Sequence, residues 1–451
     1  MESTFGHELT STQSNNEDVS MSLNEIAVSI PEAENQVSIW RKQDTVWMLS
    51  LYGTAIGAGT LFLPINAGLN GIWPLIIMVL LAFPMTYFSH QALCRFVLSG
   101  SSAKDDITAV VDEHFGHLAG KILTFLYFFA IYPILLMYSV AITNTTESFI
   151  VNQIGMQAPP RPLLAIILIL ALMAIVRFGQ QIIVKSMSLL VYPFVSILLM
   201  LSLYLIPHWN DAIFQQSNAI NGGGAHGLLI TLWLVIPVMV FSFNHSPIIS
   251  SFAVAQKQQY GKDADEKCSW ILKYSHILMV TTVMFFVFSC VLSLSPKDLA
   301  LAKQQNISIL SYLANHFQTP LMAYIAPLIA FIAISKSFLG HYLGASEGLQ
   351  GLITKGFANR GKNLELKKVQ RFIEGFMIIT CWIVATLNPS ILGMIETLGG
   401  PVIAIILFLM PMYAIAKIPA MQKFKNSIIT IFISFMGLVA ISAILYGLFN
   451  S

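Results

Sequence analysis

Charge is what this chain is short of. Only 10% of its 451 residues are Asp, Glu, Lys or Arg, against 56% hydrophobic residues and a mean hydropathy of +0.72. A soluble chain carries about 25% charged residues, so this one cannot cover a surface that faces water, and a soluble enzyme is excluded. The net charge is only +2, and no basic stripe interleaves with aromatic residues, which leaves no footprint for a nucleic acid. Cysteine is scarce too. Cys94, Cys268, Cys290 and Cys381 stand far apart, a spacing that suits neither a disulfide framework nor a metal cluster. Neither His-Glu-x-x-His nor a nucleophile elbow occurs, so no motif points to catalysis or to a cofactor. Asp112, Glu113 and His114 are consecutive on a helical pattern and do not converge on one point, so they make no metal site.

What is present is a series of long apolar runs. Residues 1–38 stand outside it: they hold seven acidic residues and no Lys or Arg, and are rich in Ser, Asn, Glu and Thr. They lack the basic and apolar regions of a signal peptide and read as a disordered acidic tail. Residues 39–451 form the membrane domain. A helix crosses about 30 Å of hydrocarbon in about 20 residues, which yields eleven candidate spans. They lie at 43–66, 72–98, 119–150, 163–180, 182–206, 227–255, 271–294, 320–350, 370–387, 390–416 and 427–449. Short alternating segments of a β-barrel are absent, so the expected fold is an all-α integral membrane protein. With the N-terminus inside, twenty Lys and Arg fall on the cytoplasmic side and three (Arg161, Lys297, Lys303) on the other. The bias predicts a cytoplasmic N-terminus and an external C-terminus. Two loops carry helical spacing of their own: Ile107, Val110, Val111, Phe115 and Leu118 inside, and Ile307, Leu310, Ala314 and Phe317 outside. The sequons at Asn144, Asn244 and Asn306 read as chance.

Two spans carry the marks of a broken helix. The first reads GTAIGAGTLFLP, with Gly57 and Gly59 flanking Ala58 and with Thr60 and Pro64 beyond. Glycine accepts unwound backbone and proline removes a donor; the alternative is close packing through Gly53-x-x-x-Gly57. The sixth reads MVFSFNHSPIISSF, where Ser242, Asn244, His245, Ser246, Ser250 and Ser251 surround Pro247. Irregular backbone at membrane depth survives only where protein or a water-lined cavity satisfies it; the alternative is a polar stripe on an intact helix. Each of these spans is the first in a set of five. Breaks at corresponding positions of two halves point to a transporter's binding site, and five helices per half make the repeats inverted. Repeat one covers about 43–206, repeat two about 227–416, and an extra helix 427–449. Exposed N–H groups suit a carboxylate, and exposed carbonyls and hydroxyls an ammonium. Together they describe an amino-acid site.

The runs RKQDTVWMLSLYGTAIGAGTLFLPINAG, FFAIYPILLMYSVAITNT, VMVFSFNHSPIISSFAVA, QNISILSYLANHF, KSFLGHYLG and NPSILGMIETLGGP closely resemble bacterial hydroxy and aromatic amino acid permeases. The resemblance extends from about residue 38 to the end. It implies an inner-membrane permease of the LeuT-type five-plus-five inverted-repeat fold in the APC superfamily, working as a proton symporter. Within the family it is strongest to carriers of L-serine, and next to carriers of threonine and serine. The alternatives are sodium coupling, an aromatic substrate or, from other classes, a channel or a membrane sensor. Besides lipid, solute and proton, no partner is implied.

For the substrate backbone, the candidates are Ile56, Gly57, Ala58, Gly59 and Thr60 in the first span and Phe241, Ser242, Asn244 and Ser246 in the sixth. Thr60, Ser242 or Asn244 is positioned to bond a serine hydroxyl, and for each a bond between helices without a ligand is an equal reading. Tyr127, Tyr132 and Tyr138 interrupt the third span, and Tyr132, beside Pro133, is the expected cover of the substrate. His245 and His341 are candidate proton relays, and Glu396 a candidate outer gate. Lys336 is the one Lys or Arg well inside a span, and intramembrane charge is costly. In the resembling fold the eighth and first helices hold a cation together. Lys336 is expected in that cation's place, donating to carbonyls near Gly53 and Ile56; an ion pair with Glu347 or Glu396 is the alternative.

Overall fold

The computed structural model describes residues 39–176, 180–214, 224–317, 319–358, 365–395 and 400–450. The acidic tail 1–38 and Glu396 therefore lie outside the described residues. Among the described residues there are helices and no strand, in agreement with the all-α expectation. The first predicted span is two helices, α1 (Lys42–Ala55) and α2 (Ala58–Leu69), bent by 49° at their junction. Then follow α3 (Ile72–Leu98), α4 (Ile107–Asn152), α5 (Arg161–Val176) and α6 (Gln180–Leu205). The sixth predicted span is also two helices, α7 (Gly224–Ser242) and α8 (Ser246–Tyr260), and α9 (Ala264–Ser293) follows after a single tight turn. The outer connector folds as α10 (Pro296–Gln304) and α11 (Ile309–Phe317), before α12 (Pro320–Ala358) and α13 (Leu366–Leu387). The tenth predicted span is segmented into α14 (Ile391–Met394), α15 (Gly400–Ala404), a π-helical turn at Ile405–Leu409 and α16 (Met410–Lys417). After α17 (Pro419–Gln422), α18 (Ser427–Asn450) closes the described chain. Among the described residues, six helical stretches are long and apolar enough to cross a membrane alone, the α1–α2 pair adds a seventh, and four apolar helices of 10–17 residues are too short to qualify by themselves.

The cytoplasmic connector and the third span are one bent helix. Gly116, at φ 77°, kinks α4, and the helical periodicity resets there. Ile107, Val110 and Val111 are buried as expected, whereas Leu118, beyond the kink, is 77% exposed and does not share their face.

Packing depends on small residues because lipid offers no hydrophobic force to press apolar helices together. Along α12, a Cβ on Gly340 would fall 2.8 Å from the Thr54 methyl, one on Gly344 2.7 Å from the Pro247 carbonyl, and one on Gly348 3.1 Å from the Phe128 backbone. One face of α12 thus meets α1, α8 and α4 in turn. The outward residues are apolar: Leu80, Leu189, Ile428 and Ile431 are each about two-thirds exposed or more, as a lipid-facing belt requires.

Basic residues gather at one end. Arg95 meets Asp265 at 2.8 Å, Lys355 meets Asp112 at 3.0 Å, and Lys257 donates to the carbonyls of Gly100 and Ser102. The deepest pair is Lys267 with Asp44 at 2.8 Å, both wholly buried, with the Tyr260 hydroxyl donating to the other Asp44 oxygen at 2.7 Å. This cluster joins the start of α1 to the end of α8 and the start of α9. Removing one member of a buried pair costs about 3–5 kcal/mol, whereas removing both costs far less. Lys267→Met alone should therefore lower the thermal midpoint of the purified protein by several degrees, and Asp44→Asn added to it should restore most of the loss.

Candidate functional site

The α1 helix ends at Ala55 because Ile56 turns to extended backbone (φ −87°, ψ 97°), and Gly57 (φ −150°, ψ −138°) precedes the restart at Ala58. The carbonyls freed at this break do not go unmet. The Ser337 hydroxyl of α12 lies 2.7 Å from the Ile56 carbonyl and 3.1 Å from that of Gly53, and donates its proton to them. Gly57 has no room for a side chain: a Cβ there would collide with Ser337 and fall 2.6 Å from the Tyr138 ring. On the second side, α7 ends at Ser242, residues Phe243–His245 leave the helix, and Ser246 begins α8. A Cβ on Gly59 would lie 2.9 Å from the Phe241 ring, so the two breaks face each other at van der Waals distance. They are also bonded. Ser242 Oγ donates to the Gly59 carbonyl at 3.1 Å, and Thr60 Oγ1 donates to the Ser242 carbonyl at 3.2 Å. The hydroxyls expected to meet a ligand thus hold the halves together. Asn244 behaves differently: its Oδ1 accepts from the Ser246 amide at 3.1 Å, while its buried Nδ2 has no partner among the described residues.

Lys336 stands beside this break, and its Nζ makes different contacts from those expected. The carbonyls of Gly53 and Ile56 are taken by its neighbour Ser337 instead. Successive residues on a helix point about 100° apart, so when Ser337 faces the break Lys336 faces α6. Its ammonium sits 3.6 Å from the centre of the Phe194 ring and 5.5 Å from that of Tyr52, and its stem passes Gly53. It is fully buried, and Nζ has no hydrogen-bond partner among the described residues. No ion pair to Glu347 forms. Cation–π attraction is worth about 2 kcal/mol or more when desolvated, which only partly offsets the burial of an ammonium.

Tyr132 is half-buried and stacks on Phe128 at 4.8 Å and on Phe376 at 5.6 Å, away from the break. Tyr138, six residues further along α4, is the tyrosine against Gly57, with its ring edge on His341 at 4.9 Å. Helical phase, and not the adjacent Pro133, decides which tyrosine of α4 faces the break. At the end of the bundle away from the basic residues, a cavity of about 710 Å³ opens between α4, α5 and the α10–α11 connector, lined by Asn144, Glu147, Arg161, Tyr312 and Asn388 among others. Beside it, burial works against Asp298, but hydrogen bonds from Ser295 and Tyr312 outweigh it and hold the carboxyl below its ordinary range.

The structure also brings together a group that the sequence reading missed. His90 of α3 and His276 of α9 converge on His245, all three buried. The available signal was that both lie in mid-span, where a polar ring is costly.

Against known proteins, the model of the tryptophan/tyrosine permease family matches residues 44–448. The serine transporter SdaC of Escherichia coli (strain K12) is 65% identical over 414 residues, covering 92% of this chain and 96% of that protein. The threonine/serine transporter TdcC of Edwardsiella tarda is 46% identical over 437 residues, covering 93% and 99%. Among solved structures, a histidine-to-alanine mutant of the Eremococcus coleocola manganese transporter superposes with a TM-score of 0.58 at 14% identity, over 94% of this chain and 91% of that one. MhsT in complex with L-phenylalanine superposes at 0.54 with 16% identity, over 89% and 97%. At such identities the likeness is one of fold, and the fold is the LeuT type.

The crowding at Gly57 makes it a sensitive probe of the break. Gly57→Val should abolish uptake in proteoliposomes while the protein still inserts, and Tyr138→Leu should reduce uptake strongly. Tyr132→Leu, remote from the break, should retain at least roughly half of it. Wild-type uptake by Gly57→Val would mean that the break is a packing feature only.

Proposed function

We propose that this chain, which belongs to the tryptophan/tyrosine permease family, carries L-serine into the cell by symport with protons, with L-threonine as a second substrate. The observation that carries the reading is the pair of facing breaks, with Asn244 Nδ2 buried between the helices and without a hydrogen-bond partner among the described residues. The N-terminus of α2 (Gly57 to Thr60) presents orphan N–H groups and the positive end of a helix dipole, which suit the substrate carboxylate. Each carbonyl of Ile56, Phe241 and Ser242 keeps a second lone pair beyond its bond within the protein, which suits the ammonium, with Ser246 at the start of α8 completing the wall. Asn244 Nδ2 is the free donor for the hydroxyl oxygen of serine. The names of the relatives, a serine transporter and a threonine/serine transporter, support this choice of solute. A site built around a bond to a hydroxyl rejects an analogue lacking it strongly and resists an added methyl weakly. Threonine should accordingly compete with labelled serine far better than alanine does.

Proton coupling is assigned to Lys336. Its ammonium lies between α1, α6 and α12 next to Gly53, and the family resemblance implies a cation held between the first and eighth spans. Deprotonation would remove the cation that draws α12 to the rings of α1 and α6, and so allow inward opening. In proteoliposomes, an imposed proton gradient should drive serine accumulation and a sodium gradient should not. Lys336→Met should bind serine yet fail to concentrate it. Accumulation by that variant under a proton gradient alone would remove Lys336 from the coupling step.

The clustering of basic residues supports a bacterial inner-membrane protein with its N-terminus in the cytoplasm and its repeats at about 43–206 and 227–416. A reporter after Ser451 should then be external and one near Lys355 internal; a cytoplasmic reporter at Ser451 would overturn this orientation.

A further inference from the structure

The basic end of the molecule holds a cavity that takes no part in the proposed transport. It measures about 460 Å³ and lies between the end of α3, the turn joining α8 to α9, and α17. Four cationic side chains line it, Arg95, Lys257, Lys262 and Lys423, against a single carboxylate, Asp265. Asp265 accepts from Arg95 Nε at 2.8 Å, which leaves both Nη groups of that guanidinium without a hydrogen bond among the described residues. Lys257 donates to the carbonyls of Gly100 and Ser102, which accept its protons but carry no charge to cancel its own. Lys262 and Lys423 are exposed and make no ion pair among the described residues. The Phe424 ring gathers two of these cations: Arg95 Cζ sits 4.3 Å from its centre and Lys423 Nζ 4.8 Å. Like charges held so close repel, and an anion between them reverses the sign of the interaction. Asp105 and Glu113 bond the amides of Ser102 and Ser101, and neither they nor Asp263 and Glu266 line the cavity. An excess of basic loops on one side of a membrane does not by itself gather cations around one cavity.

Depth and lining select the ligand. Trp270 and Tyr274 of α9 are exposed, and Lys273 Nζ lies 5.1 Å from the centre of the Trp270 ring. Exposed tryptophan and tyrosine mark the headgroup level of a bilayer. Asp265 precedes Trp270 by five residues, about 7.5 Å further out along the helix, which is the depth of lipid phosphates. Leu98, Ala420 and Phe424 add an apolar wall to the same cavity. A free phosphate leaves that wall uncovered, whereas the glycerol of a phospholipid covers it. The free edge of a guanidinium matches paired phosphate oxygens, and lysines add point charges.

We propose that this cavity binds the headgroup phosphate of an anionic phospholipid. The bound headgroup ties the end of α3 and the α8–α9 turn to α17, and so braces the foot of the second broken helix. Neither the solute nor the coupling ion enters this assignment.

The test uses the full chain, purified in a neutral detergent, with phosphatidylglycerol as the probe and native mass spectrometry to count bound lipid. The first phosphatidylglycerol should bind at least about tenfold more tightly than phosphatidylcholine of the same chains, whose headgroup is neutral overall. One lysine beside an anionic lipid is worth about fivefold in binding, so Lys262→Gln combined with Lys423→Gln should weaken that first molecule by roughly 25-fold. Lys367→Gln combined with Lys368→Gln removes the same charge from exposed residues outside the cavity and should cost less than about twofold. Equal affinity for the two lipids, or an equal loss in the second pair of substitutions, would overturn the proposal. So would displacement of phosphatidylglycerol by an equal concentration of inorganic phosphate, which would give the cavity to a free anion. The comparison of the two lipids on the unaltered chain decides the matter even if the cavity variant fails to fold.

Discussion

Unwound backbone inside a membrane has no water to meet its polar groups, and the rest of this structure follows from how it meets them. Two helices break in mid-membrane, and carbonyls at each break are met by the other break or by α12. Ser337 serves the carbonyls of Gly53 and Ile56, Ser242 serves Gly59, and Thr60 serves Ser242. Such bonds form only if the backbones come very close, which explains why Gly57 and Gly59 have no room for a Cβ. The small residues and the hydroxyls are one device: the first permit the approach, and the second make use of it.

Charge is distributed by the same economy. Near the basic end, Lys267, Asp44 and Tyr260 are buried but mutually satisfied, so the cluster works as a structural tie between α1, α8 and α9. Lys336 is buried as deeply and is met only by ring faces. So poor an environment makes this ammonium a cost to the fold rather than a source of stability. The histidine trio extends the contrast, since His90 is satisfied by the His245 amide while the other two rings keep bare Nε2 atoms. Unmet polar groups therefore sit around both breaks, at Lys336 beside the first and at Asn244, His245 and His276 around the second.

Composition and periodicity by themselves determined the class of protein, the placement of the apolar runs and the two places where helices break, because lipid imposes rules that act on one segment at a time. A span needs enough apolar residues, and a cluster such as Phe243-Asn244-His245 before Pro247 cannot continue an apolar helix. Which side chains meet across helices is set by the rotation of each helix about its axis, to which those rules are silent. Tertiary packing thus chose Tyr138 over Tyr132, turned Ser337 toward the carbonyls expected for Lys336, and separated Leu118 from its periodic neighbours through the kink at Gly116. It also assembled His90, His245 and His276 from residues 31 to 186 positions apart in the chain. Contacts over such separations depend on how ridges and small residues of different helices fit together, and that fit exists only once the bundle has formed.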